Sequence, residues 1–204
     1  MSDFVHLHVH SEYSLLDGLS SCKELAEHAA ELGMPALALT DHGAMYGAIQ
    51  FYKACRAAGI KPIIGLEAYV APRGRKDRDP QRDRSPHHLG LLAQNDTGYH
   101  NLMRLATIAQ LEGFYYKPRL DREVLERYHE GLIVLSGCGS SELARLIKKG
   151  QYDAARDVVG WYRDVFGDRY YLELQDHDIP DLAEVNDHLI ELSREFDLPL
   201  VATN

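Results

Sequence analysis

The chain has 204 residues, of which 45% are hydrophobic and 26% charged, as in an ordinary globular domain. Its formal net charge of -9 argues against a surface that coats nucleic acid without specificity, although bound metal ions would reverse the charge locally. Three cysteines are too few for a disulfide framework and indicate a reducing compartment. We therefore expect one cytoplasmic domain over 1–204, with neither a signal peptide nor a membrane-spanning segment.

The first predicted strand, from about Phe4 to Val9, leads into a run with histidine at every second position: His6, His8 and His10. Alternate side chains of a strand share one face, so these rings would point the same way. Neutral imidazole is the commonest metal ligand among side chains. A single histidine at a strand end is more often a hydrogen-bonded structural residue, but three at alternate positions favour a metal site.

Short apolar strands then alternate with amphipathic helices along the chain. Further strands are predicted near 35–40, 62–70, 88–93, 131–136, 170–174 and 198–203, and helices near 21–32, 44–58, 97–112, 122–128, 141–148, 152–166 and 182–192. Ser20 or Ser21 with Glu24 predicts a capping box at the first helix, Gly59 would end the second, and Thr97 or Asp96 would cap the third. This alternation indicates parallel strands covered by helices. Candidate ligands follow nearly every strand, which favours a closed barrel with its site at one face over an open, doubly wound sheet.

The stretch 72–86 breaks this pattern. It contains six Arg or Lys residues against three Asp residues and has no apolar periodicity. We interpret it as a mobile, solvated surface loop. The alternative is a loop that contacts a phosphate backbone near the site.

Carboxylates, imidazoles and one thiol lie at or near the predicted strand ends. They are His8, His10, Asp17, Asp41, His42, Glu67, His88, Cys138 and Glu173. Mixed oxygen and nitrogen ligands suit Zn, Mn or Fe, and a thiolate favours zinc. Clustered divalent ions favour phosphate ester hydrolysis because they clamp the phosphoryl oxygens. Glu67 stands inside an apolar strand, where an unpaired carboxylate is costly, whereas Cys138 alone could equally be a small buried hydrophobe.

Several ordered stretches of the chain resemble the polymerase and histidinol phosphatase (PHP) family, and especially the PHP domains of bacterial replicative DNA polymerases. The stretches are His6-Leu7-His8-Val9-His10-Ser11, Ser14-Leu15-Leu16-Asp17-Gly18, Thr40-Asp41-His42-Gly43, Tyr115-Tyr116-Lys117-Pro118-Arg119 and Leu135-Ser136-Gly137-Cys138. The short histidine motif is weak by itself, whereas the ordered set is specific. The resemblance implies a distorted seven-stranded (β/α)7 barrel of the TIM-like PHP type.

The resemblance also implies a site for up to three divalent ions, which could be Zn, Mn or Fe. Matched by position, one ion would be held by His8, His10 and Glu67, a second by Glu67, His88 and Cys138, and a third by Asp17 and His42. Glu67, His10 and His42 would be the catalytic residues of a 3′ to 5′ proofreading exonuclease. Lys117 and Arg119 would bind the substrate backbone.

The implied partners are a DNA primer terminus, the other domains of a polymerase and further replicase subunits, with no membrane. We expect 1–204 to be part of a longer polymerase chain, because the family's late Asp-x-His pair would follow Asn204, and the magnesium site for polymerisation would lie outside it. Two rival functions remain. One is a free-standing phosphatase for a small phosphate monoester, and the other is a non-catalytic structural or interaction module.

Overall fold

The computed structural model describes residues 4–15, 17–177 and 180–203. The helices are α1 (Cys22–Glu31), α2 (Ala48–Ala58), α3 (Asp96–Leu111), α4 (Arg122–Arg127), α5 (Glu142–Lys148), α6 (Tyr152–Phe166) and α7 (Pro180–Phe196). The strands are β1 (Ala36–Leu39), β2 (Lys61–Val70), β3 (His87–Ala93), β4 (Arg119–Leu120), β5 (Leu132–Leu135), β6 (Tyr170–Gln175) and β7 (Leu200–Thr203). Within these ranges no helix is both long and apolar enough to cross a bilayer.

The seven strands form one curled α/β sheet in the order β1-β2-β3-β5-β6-β7, with the short β4 beside β2. This confirms the predicted fold class, with one correction to the strand directions. β3 is antiparallel to both of its neighbours, whereas the other pairs are parallel. The reason is that 71–86 contains no crossover helix, so the chain turns back beside β2 instead of returning to start a parallel strand.

The first predicted strand is wrong as a regular strand. Residues 4–10 run beside β1 with a bend at His8; the amide of Ala38 donates to His6 O at 2.9 Å and the amide of Thr40 donates to Val9 O at 2.8 Å. Between these two hydrogen bonds the β1 side advances by two residues, from 38 to 40, while the segment advances by three, from 6 to 9. The regular alternation of side chains along the segment is therefore lost. His6 therefore lines a surface groove together with Val9, next to α1, and lies apart from His8 and His10.

Local helix signals are mostly confirmed. Ser21 and Glu24 form the predicted capping box at α1, and α2 ends at Gly59 in the left-handed conformation. The cap of α3 is a correction, because Asn95 takes this place rather than Asp96 or Thr97 and accepts from the amide of Gly98 at 3.1 Å. The main core lies between the sheet and the helices from α3 to α7, and a second cluster lies among α1, α2 and β1.

The loop 72–86 is anchored to the domain rather than wholly solvated. Arg75 is 8% exposed and its guanidinium lies 3.0 Å from Asp121 and 2.9 Å from both Glu112 and Glu123. Asp83 is fully buried and lies 2.6 Å from the guanidinium of Arg73. These ion pairs hold the loop in place, so two of its arginines are structural.

Arg119 is the second anchor of this region. It is 0% exposed, and its guanidinium donates to the carbonyl oxygens of Gly113 at 3.0 Å, Asp83 at 3.1 Å, Arg75 at 2.9 Å and Asp77 at 2.8 Å. A guanidinium occupied in this way cannot reach a substrate. The prediction that Arg119 binds substrate is therefore corrected to a structural role.

We expect acid to loosen this loop through Asp83. The guanidinium of Arg73 holds the pKa of Asp83 at about 2, below its usual 3.8. A carboxyl with a lowered pKa stabilises the folded state above its unfolded value, and that stabilisation is lost as the pH falls through about 2. The difference in melting temperature between the wild type and Asp83→Asn should thus be large at neutral pH and shrink below pH ~4. The matched control is Asp153→Asn, and an Asp83→Asn gap that did not change with pH would contradict the assignment.

Candidate metal centre

A cluster of ligand-type side chains surrounds Glu67, which lies in the middle of β2 and is 1% exposed. One carboxylate oxygen, Oε1, lies 3.2 Å from His8 Nε2 and 3.0 Å from His88 Nδ1. The thiol of Cys138 lies 3.6 Å from the same oxygen and 3.6 Å from His88 Nδ1. On this side of Glu67, two imidazole nitrogens, the carboxylate oxygen Oε1 and a thiol thus lie within reach of a common centre.

The other oxygen, Oε2, has a separate set of neighbours. It lies 2.5 Å from His42 Nδ1 and 3.7 Å from His10 Nε2. On its far side, His42 Nε2 lies 2.5 Å from Asp17 Oδ2. Among the described residues, two groups have ligand atoms within 4.8 Å of one another: His8 with His10 and Glu67, and His42 with Glu67 and His88. Glu67 belongs to both, which is the position of a bridging carboxylate.

The sheet itself brings these residues together. His42 follows β1 and continues its parallel pairing with β2, since the amide of Gly43 donates to Glu67 O at 2.9 Å. His88 is the second residue of β3 and pairs with Tyr69. His87, the neighbouring histidine in the sequence, is not among the described residues that contact Glu67. The alternation of β3 directs neighbouring side chains to opposite faces, which separates the two histidines.

Asp41 organises the loop that carries Asp17. Its carboxylate accepts from the amide and hydroxyl of Ser11 at 2.7 and 2.8 Å and from the hydroxyl of Ser14 at 2.7 Å. Ser14 Oγ in turn accepts from the amide of His42 at 3.1 Å. Asp41 is therefore a buried support for this loop, whereas Asp17 is the carboxylate that reaches the cluster.

Glu173 has a role that the sequence did not assign. It is buried in β6, and its Oε1 lies 2.7 Å from His8 Nδ1 while its Oε2 accepts from the amide of Gly137 at 3.1 Å. A carboxylate on one nitrogen of an imidazole fixes the orientation of the ring and presents the other nitrogen, here Nε2, to a metal. The available signal was a carboxylate inside an apolar strand, the same signal that singled out Glu67.

The cluster shifts the pKa values of its own members in opposite directions. Burial lowers the pKa of His8, but Glu173 and Glu67 outweigh it and raise that pKa to about 10. Burial dominates at His10 and lowers its pKa to about 4. Burial would raise the pKa of Glu67, but the surrounding histidines hold it far below its usual range. In the metal-free protein His10 is therefore neutral and Glu67 charged at neutral pH, as metal ligands must be, whereas His8 is protonated and a bound cation would have to displace its proton.

The ionisation of the Cys138 thiol depends on a bound cation. Burial, and then the charge of Glu67, raise its pKa to about 12. The thiol therefore keeps its proton in the metal-free protein. A divalent ion beside it would release that proton, because thiolate is the form that binds metal.

Two buried atoms test whether a metal fits. His42 Nδ1 and Glu67 Oε2 lie 2.5 Å apart and pair with each other inside the buried cluster. Such a pair shares a proton in the metal-free protein, and a cation bound beside it would take the place of that proton. The nitrogen, oxygen and sulfur donors here fit a divalent transition metal.

The cluster opens to solvent through a pocket of about 360 Å³. His42 and His88 form its floor, and Tyr116, Lys117, Arg84 and Arg145 form part of its wall. Lys117 is exposed, with Nζ 5.3 Å from the ring centre of Tyr69, which in turn stacks on His42. Lys117 thus lies where the sequence predicts a substrate contact.

The family model of the PHP domain matches residues 6–177 of this chain. Proteins named DNA polymerase III subunit alpha are 48% identical in Borreliella burgdorferi and 51% identical in Treponema pallidum, over 100% and 98% of the chain. A third, from Thermus aquaticus, is 47% identical over 98% of the chain. The chain spans only 17–18% of the length of these relatives.

Two solved structures share the fold. One is a candidate metal-dependent phosphoesterase from Bifidobacterium adolescentis, with a TM-score of 0.57 and 15% identity over 98% of this chain and 85% of that one. The other is an amidohydrolase from Chromobacterium violaceum, with a TM-score of 0.59 and 14% identity over 98% of this chain and 86% of that one. At these identities the likeness shows the fold alone. The match over 6–177, the related polymerase subunits and the ligand cluster around Glu67 together establish that this chain belongs to the PHP domain family.

Proposed function

We propose that the domain is a metal-dependent phosphodiesterase that removes nucleotides from the 3′ end of DNA, as a proofreading exonuclease does. The observation that carries the proposal is the ligand cluster around buried Glu67, whose carboxylate belongs to two groups of closely spaced ligand atoms. The cluster lies under an open pocket with cationic side chains at its mouth. This combination suits an extended, negatively charged substrate.

Bound divalent ions would supply Lewis acidity towards the phosphoryl oxygens and a water activated at neutral pH. The protein's own residues supply the rest. Glu67 belongs to both ligand groups, and Glu173 holds His8 with Nε2 towards Glu67. His10, being neutral at pH 7, can bind a cation or accept a proton. Lys117 attracts the phosphate backbone from the mouth.

The distribution of ions follows the contacts. We propose one ion at His8, His10 and Glu67, a second at Glu67, His88 and Cys138, and a third at Asp17 and His42. The mutual proximity of the His8, His10 and Glu67 ligand atoms supports the first group, and the contacts of His88 and Cys138 with Oε1 of Glu67 support the second. The proximity of His42 Nε2 to Asp17 supports the third. The set of donors is compatible with Zn, Mn or Fe.

The names of the related proteins support a role within a larger protein. Because relatives over nearly the whole chain are named DNA polymerase III subunit alpha, we propose that the domain serves in DNA replication as part of such a subunit. Its partners would be the primer terminus, the other polymerase domains and further replicase subunits. The magnesium site for polymerisation would belong to those other domains.

The direct test is hydrolysis of a primer with a mismatched 3′ end, with Mn²⁺ or Zn²⁺ added to the metal-depleted chain. We expect the wild type to release nucleotides and His10→Ala to be slower by at least about 100-fold, because the variant loses a metal ligand. His28→Ala, at an exposed histidine on α1, is the matched control and should retain full activity. Equal rates for wild type and His10→Ala would refute the proposal, as would hydrolysis of a small phosphate monoester in place of DNA.

A further inference from the structure

Tyr116 is an exposed aromatic residue in an unusual backbone conformation at the mouth of the pocket. Its side chain is 58% exposed and its φ is +59°. It stands at the apex of a tight turn in which the amide of Tyr115 donates to Lys117 O at 3.1 Å. Residues other than glycine and asparagine rarely adopt a positive φ, and bulky residues do so least of all. Such conformations concentrate at functional sites.

Contacts on both sides of the turn fix its position relative to the ligand cluster around Glu67. Pro118 is buried and lies so close to Gly43 that a Cβ at that glycine would be 2.8 Å from Pro118 Cγ. Gly43 directly follows His42, a proposed ligand. The buried guanidinium of Arg119 fixes the other end of the turn. The ring of Tyr116 is therefore held at a set place relative to the ligand cluster.

Three cations surround this ring and the pocket. The guanidinium of Arg84 lies 5.3 Å from the ring centre of Tyr116, and Arg145 donates to the backbone oxygen of Ser85 at 3.3 Å. Among the residues that the structure describes, Arg84, Lys117 and Arg145 have no carboxylate at ion-pair distance. In a chain with a net charge of -9, three unpaired cations around one pocket indicate an anionic ligand.

We propose that Tyr116 is a stacking platform for a base of single-stranded DNA, while Arg84, Lys117 and Arg145 contact the adjoining phosphates. The inference rests on the proposed function and deepens it by assigning the recognition of a frayed, unpaired end. A phosphate monoester would need the cations but no exposed aromatic ring. A stacked platform accepts any base, because every base presents a π-face, but it needs that base unpaired and splayed out of a duplex.

The test measures binding without hydrolysis. The full chain is titrated with a fluorescent ten-nucleotide oligothymidylate in the presence of a chelator, and the dissociation constant is read from anisotropy. We expect Tyr116→Ala to weaken binding about tenfold through the lost stacking contact, and Tyr116→Trp to preserve it. Lys117→Gln should reduce the slope of log affinity against log salt by about 0.7, as one lost phosphate contact does in a single strand.

Two further variants separate the ring from the backbone. Tyr116→Gly suits the left-handed conformation, so it keeps the turn folded while it removes the ring, and it should bind as weakly as Tyr116→Ala. Tyr52→Ala removes a half-exposed tyrosine of α2 and should bind like the wild type. A wild-type affinity in Tyr116→Gly, or no binding of the oligonucleotide by the wild type, would overturn the inference.

The outcome is independent of the hydrolysis test. Loss of binding in Tyr116→Gly together with an inactive, metal-loaded wild type would support the platform and refute the exonuclease. Unchanged binding in Tyr116→Gly together with nucleotide release by the wild type would refute the platform and leave the exonuclease in place. Duplex DNA of the same length should bind more weakly than the single strand, and the opposite order would also count against the platform.

Discussion

Replacement of Glu67 by glutamine is expected to abolish metal binding at both ligand groups and to slow hydrolysis by about 10³-fold or more. One carboxylate takes part in both groups, so a single neutral amide weakens both at once. The side chain keeps its size, which separates the loss of charge from a packing defect. Metal content after dialysis, measured by plasma mass spectrometry, and nucleotide release give the two readouts.

Comparison with single-group variants makes this prediction specific. Cys138→Ser and His10→Ala should each reduce the metal content at one group only, because each side chain lies beside a different oxygen of Glu67. Glu126→Gln, at an exposed position of α4, is the matched control for the change of charge. If Glu67→Gln lost no more metal than Cys138→Ser, the bridging position of Glu67 would be wrong.

Arg119→Met is expected to destabilise the domain by about 4 kcal/mol, since it leaves carbonyl oxygens of the loop without a donor. The guanidinium donates to four backbone carbonyls and is completely buried, so water cannot fully replace it. Urea denaturation gives the free energy of unfolding. Lys117→Met, two residues away and exposed, should change that free energy by no more than about 0.5 kcal/mol.

These two variants also show which of Lys117 and Arg119 binds substrate, the role that the sequence predicted for both, and which one is structural. Lys117→Met should weaken DNA binding and its salt dependence while the stability is retained. Arg119→Met should instead lower the free energy of unfolding. If Arg119→Met were as stable as the wild type and bound DNA poorly, the substrate role predicted for Arg119 would be restored.

Much of the candidate site was visible before the structure. His8, His10, His42, Glu67 and Cys138 are ligand-type residues at predicted strand ends, and the structure brings all of them together. The signal was local: an ionisable residue in or directly after an apolar strand has few reasons to be there. The roles of individual ions remain predictions, since they depend on occupancy by metal.

Other features could not be predicted from local pattern. His6 was grouped with the two ligand histidines by strict alternation, but the segment pairs irregularly with β1 and sends it elsewhere. Arg119 was predicted to bind substrate from the family resemblance, and only the fold shows that carbonyls of Gly113 and of the loop 72–86 surround it. Glu173 gained its role from His8, which lies 165 residues away.

The sequence by itself determined the strand and helix alternation, the capping box of α1, the types of ligand and the family resemblance. These depend on short-range periodicity and on side-chain chemistry, which can be read along the chain. Only the tertiary structure decided that β3 runs antiparallel, that Arg119 is buried, and that Tyr116 faces the pocket mouth beside Arg84. Those outcomes depend on strand register and on contacts between distant segments, because each side chain is placed by the elements that pack around it.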